Sequence, residues 1–108
     1  MIGLIFRFGM EIIEVRIDRT NCLFRTGQTN FVTIDNLRLD KSGVIKEFPD
    51  LEDRDDWRVE AVKRFKDKLK ELNTEDERVK YIIEDLKKYG YVLMYKQKQG
   101  HRVEKVKE

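Results

Sequence analysis

The chain has 108 residues, 40% of them hydrophobic and 41% charged, with 23 Lys/Arg against 21 Asp/Glu for a net charge of +2. That length suits one domain around one core. Near-balanced charge with periodic apolar positions excludes a disordered chain. The longest apolar run near the start, MIGLIFRFGM, carries Arg7 and is too short for a membrane span, and it lacks the basic region of a signal peptide.

A single cysteine, Cys22, excludes an internal disulfide and points to a reducing cytoplasm. Abundant Lys and Glu with little Cys or Gln is a thermophile-like composition, the kind that favours surface ion-pair networks at high temperature. Met10 offers a second start, which would make residues 1–9 an upstream extension. Otherwise they add an edge strand to a single domain spanning 1–108.

Taken in chain order, the first half alternates with a period of two. Ile13, Val15 and Ile17 point one way and Glu14, Arg16 and Asp18 the other, which predicts a half-buried strand over 11–18. Asp18-Arg19-Thr20-Asn21 predicts a turn. Cys22 to Thr26 reads as a short strand ended by Gly27, and Phe31 to Leu39 as a longer one. The alternation changes phase at Asp35-Asn36, where a bulge would restore the core face. Asp40-Lys41-Ser42-Gly43 predicts a turn and Val44 to Glu47 a returning strand, completing an antiparallel meander.

At Pro49 the period changes. Trp57, Ala61, Val62, Phe65, Leu69 and Leu72 fall within an arc of about 140° on a helical wheel, an amphipathic helix with one buried stripe. Trp57 should pack where helix meets sheet. Thr74 followed by Glu77 is a capping box that starts a second helix, and Gly90 suits its left-handed end. Val79, Ile82, Ile83, Leu86 and Tyr89 form the second stripe, which leaves Tyr81 exposed. Tyr91 to Lys98 predicts a strand, Gln99-Gly100 a turn, and His101 to Val106 a weaker closing strand. The expected fold class is α+β: an antiparallel β-meander sheet, an antiparallel helix pair packed on one face, and a C-terminal β-hairpin.

Two segments of opposite charge stand out. Residues 47–56 (EFPDLEDRDD) hold six acidic side chains against one Arg, a net of −5. Asp50, Asp53, Asp55 and Asp56 are hard oxygen donors of the type Mg²⁺ or Ca²⁺ takes, but their spacing is not that of a calcium loop, and acidic residues ahead of a helix are stabilising by themselves. No metal site or cofactor is therefore expected, and a metal-dependent hydrolase ranks last among the readings. Residues 87–108 hold seven Lys/Arg against two Glu, a net of +5.

In that basic segment Lys87, Lys88, Lys96, Lys98 and Arg102 would neutralise phosphates while Tyr91 and Tyr95 stack on bases, with His101 a further contact residue, the way several sheet-based proteins hold single strands. The opposing expectation is that the tyrosines pack beneath a strand over 2–8. The preferred reading is thus a non-enzymatic small module that contacts nucleic acid through a C-terminal hairpin. The second is a self-associating domain, a homodimer in which 47–56 of one copy meets 87–108 of another. His101 has no partner at a recognisable spacing, and Cys22 reads as a small core residue. Helix, short turn, helix and basic hairpin is also the order at the end of a winged-helix domain, but the first helix is too long and too many strands precede it for that match.

Overall fold

Alternating apolar positions produce the first strands where the sequence places them. The computed structural model describes residues 1–39, 43–47, 57–98 and 104–105. Its strands are β1 (Ile2–Phe8), β2 (Glu11–Ile17), β3 (Cys22–Thr26), β4 (Val32–Thr33), β5 (Leu37–Leu39) and β6 (Ile45–Glu47). Helices α1 (Trp57–Glu71) and α2 (Glu75–Lys88) follow, and β7 (Val92–Lys98) and β8 (Glu104–Lys105) complete the order. The main sheet runs β4-β3-β2-β1-β7-β8 with every pair antiparallel.

The strand at residues 2–8 lies at the centre of this sheet, not at an edge. It pairs with β2 along its whole length and with β7 on its other side. Ile2, Leu4 and Phe6 are buried with Ile13, Val15 and Ile17 of β2 and Cys22 and Phe24 of β3. The turn into β2 places Gly9 at φ +57° ahead of Met10, the left-handed first position that a type II′ hairpin turn requires.

The phase break at Asp35-Asn36 is not a bulge. Ile34–Asn36 forms a 3-10 turn that ends the first strand at Thr33 and carries the chain out of the main sheet. Leu37–Leu39 then pairs with β6 in a separate two-stranded sheet. Opposite parity was the correct signal, because Leu37, Leu39 and Ile45 are all buried, but the core they face is the one beneath α1. The turn expected at 40–43 lies outside the described residues except for Gly43.

Helix α1 buries Val62, Phe65 and Leu69. It begins at Trp57 as the stripe predicts, while the side chains of Trp57 and Ala61 lie outside what the structure describes. In α2 the Thr74 hydroxyl accepts from the Glu77 backbone N–H at 3.1 Å, and Val79, Ile82 and Leu86 are buried. The helix ends with Gly90 at φ +91°, its N–H bonded to the Lys87 carbonyl and the Tyr91 N–H to the Leu86 carbonyl, a Schellman closure. Gly90 is required twice over, since a Cβ there would stand 2.9 Å from Cε2 of Phe8.

Tyr81 is not on an outer face. Its ring stacks on Phe65 of α1 at 5.7 Å, and Phe65 meets Phe24 of β3 at 6.0 Å, so both helices cover the same side of the sheet. Arg78 fastens the corner between them. Its guanidinium donates to the Leu69 and Leu72 carbonyls at the end of α1 and to the Asp18 carbonyl in the β2–β3 turn. No helix among the described residues is long and apolar enough to cross a membrane.

Candidate nucleic-acid interface

The strands that bury one face under the helices turn a second set of side chains outward. Tyr95 pairs with Ile5, Ile5 with Glu14, and Glu14 with Arg25, so one row crosses four strands from β7 to β3. A parallel row holds Gln97, Gly3, Arg16, Leu23 and Thr33, and a third holds Val92, Arg7 and Ile12. None of these residues is buried. Ile12 and Tyr95 are 43% and 37% exposed, high for apolar and aromatic side chains on a sheet.

Electrostatics organise the β2–β3 end of this face. The Glu14 carboxylate accepts from Arg25 at 2.7 and 3.1 Å and from Arg16 Nε at 3.2 Å. Both guanidinium carbons lie close to the ring of Phe31, which precedes β4, at 4.2 Å for Arg16 and 4.5 Å for Arg25. A carboxylate beside them and an aromatic ring against them hold two planar cations in fixed orientation. Among the described outward positions of β1, β2, β3 and β7, Arg7, Arg16 and Arg25 stand against Glu14, three cations to one anion. From the β3 backbone to that of β7 is three strand spacings, about 14 Å.

The residues singled out from the sequence do not form one cluster. Plain alternation along the predicted strand from Tyr91 to Lys98 would put Tyr91 and Tyr95 on one face, but the register between β1 and β7 shifts at Ile5/Phe6, with Tyr95 opposite Ile5 and Leu93 opposite Phe6. The extra residue, Met94, inverts the alternation. Tyr95 is consequently on the open face, while Tyr91 is 2% exposed and packs against Phe8 at 5.1 Å. The Tyr91 hydroxyl donates to the Gly43 carbonyl at 2.5 Å and accepts from the Ile45 N–H at 2.8 Å, so this ring cannot stack on a base.

Lys96 is half-buried opposite Leu4 of the helix-covered face, and Lys98 takes the register position opposite Ile2. Lys87 and Lys88 are exposed in the last turn of α2, where cations also suit the helix dipole. His101 and Arg102 lie outside the described residues, as do Asp50, Asp53, Asp55 and Asp56. Among the described residues no group of His, Cys, Asp and Glu could hold a metal ion.

Arg7, Arg16, Arg25 and Phe31 were missed. The parity of β2 already turned Arg16 outward. What sequence reading lacked was the register that sets residues of separate strands side by side.

Two further features bear on chemistry. Cys22 is buried, and burial pushes its thiol up to about 12, so it holds no nucleophilic thiolate near neutral pH. Tyr81 and Asp85 of α2 and Tyr89 just past its end follow at helical spacing, and burial raises the pKa of all three, with Arg64 countering it in each case. The cavity beside Asp85 and Tyr89 is apolar and holds only about 20 Å³, too little for an organic substrate. Neither a protein-family model, nor a curated protein, nor a solved structure matches this chain.

Proposed function

We propose that this chain is a binding module without a catalytic step, and that it takes single-stranded nucleic acid on the open face of its main sheet. The reading moves the contact from the C-terminal hairpin to β1, β2, β3 and β7. The observation that supports it most directly is the set of planar cations at Arg16 and Arg25, fixed by Glu14 and Phe31, on the same uncovered face as Tyr95. Flat guanidinium and phenol groups accept bases by stacking, and the excess cations neutralise phosphates. A reducing cytoplasm is the compartment this reading implies.

A second copy of the chain is the competing occupant. Two open faces related by a two-fold axis would set arginines against arginines, which disfavours that pairing. Fluorescence anisotropy with single-stranded RNA, single-stranded DNA and duplex DNA decides the matter. Single strands should bind more tightly than duplex. If Arg7, Arg16 and Arg25 each neutralise one phosphate, log K should fall with log salt at a slope of about −2. No single-strand binding at tens of micromolar protein in low salt would overturn the reading.

A further inference from the structure

Gly3 is a residue the fold does not demand. It sits inside the central strand, where glycine is destabilising relative to alanine and offers nothing to pack. Its backbone is not left-handed, since the positive-φ glycines among the described residues are Gly9, Gly27, Gly43 and Gly90. Nor is space short, because a Cβ at Gly3 would meet nothing nearer than the Gln97 carbonyl oxygen at 3.8 Å, an ordinary contact. Turn geometry, close packing and backbone strain all fail to account for it.

What glycine does create is a gap in the open face. On either side in its row stand Arg16 and Gln97, and along the strand stands Ile5 with Tyr95 beside it. The flanking β2 and β7 backbones are two strand spacings apart, roughly 10 Å, which admits a planar ring resting on bare backbone. The four side chains around the gap differ in chemistry: a phenol that stacks, an aliphatic wall, a guanidinium, and a primary amide with both donors and an acceptor.

We infer that the gap over Gly3 is a subsite for one unpaired nucleobase. This inference rests on the nucleic-acid reading above and narrows it. The base lies on the Gly3 backbone against Tyr95 and Ile5, the Gln97 amide bonds its edge, and Arg16 meets the adjoining phosphate. A base in a duplex is stacked on both sides and paired at its edge, so only a single strand can seat one here. Three arginines against one glutamate give the face the charge such a ligand complements.

The test is Gly3→Val. The extended backbone and open space should leave thermal stability unchanged or raised, because a β-branched residue suits a strand. Affinity for labelled ten-residue oligo(A) and oligo(U) should fall at least about tenfold, the loss of one stacked base. Gly3→Ala should fall between. If Gly3→Val does not fold, Gly3→Ala carries the test, and wild-type affinity in Gly3→Ala would overturn the subsite.

If wild type binds, Arg16→Ala weakens it and Gly3→Val does not, the subsite is wrong while the nucleic-acid reading stands. If wild type binds no single strand, both fall. Light scattering gives the remaining outcome: a wild-type dimer that Gly3→Val converts to monomer would make a second copy the occupant and overturn the nucleobase.

Discussion

At the scale of single residues, two polar side chains hold segments that the apolar core alone would leave loose. The Tyr91 hydroxyl satisfies one carbonyl and one N–H of the small β5–β6 hairpin from within the core. Tyr91→Phe keeps the ring and strands both backbone groups, at about 1–3 kcal/mol for each buried group left unpaired. Its urea midpoint should fall accordingly, with the Ile45 amide exchanging faster than amides of β1. Asp18 does the corresponding work in the β2–β3 turn. One of its carboxylate oxygens accepts from the Thr20 and Asn21 backbone N–H groups at 2.9 and 2.6 Å, and the other from the Asn21 amide at 3.1 Å. The Asn21 and Thr20 donors hold its pKa at about 2, below the ordinary 3.8. A depressed pKa stabilises the fold above the ordinary value and loses that contribution as pH falls through the folded one. The stability difference between wild type and Asp18→Ala should thus be full at neutral pH, narrow below about pH 4 and be smallest near pH 2, read from urea midpoints at each pH.

At the scale of elements, local signals predict what local physics makes. The alternation of 13, 15 and 17, the Thr74 cap and the Gly90 stop each depend on residues a few positions apart, and each forms where the sequence places it. Registers between distant strands leave no such trace. Nothing in MIGLIFRFGM announces that it will lie between β2 and β7, and nothing in YVLMY announces the extra residue that separates Tyr91 from Tyr95. The candidate site was illegible for the same reason. Its arginines sit on different strands, and Phe31 enters from a connection that reads as the start of a strand. The position of β1 yields a direct expectation. A chain begun at Met10 lacks the strand that pairs both neighbours and contributes Ile2, Leu4 and Phe6 to the core. Such a chain should show no cooperative thermal transition by circular dichroism, whereas removal of Met1 alone should leave the transition in place.

At the scale of the whole molecule, the main sheet is asymmetric: one face is closed by helices and the other is left open. That division explains why so charged a chain still buries a continuous apolar core, since β1, β2 and β3 each turn one parity inward and leave the charged residues on the other. The central place of β1 also carries a consequence in time. Residues 2–8 leave the ribosome before either strand they pair with, and β7, one of the two, is made some ninety positions later. Until β7 arrives, β1 has an open backbone edge beside an uncovered apolar face, the arrangement that invites pairing with another chain. Closing so long a loop also makes folding slow for its size. Refolding from urea should accordingly take milliseconds to seconds, with yield falling as protein concentration rises. The edge that β7 seals in the native protein is thus exposed on the nascent chain, and the time taken to synthesise the residues between β1 and the end of β7 sets how long that exposure lasts.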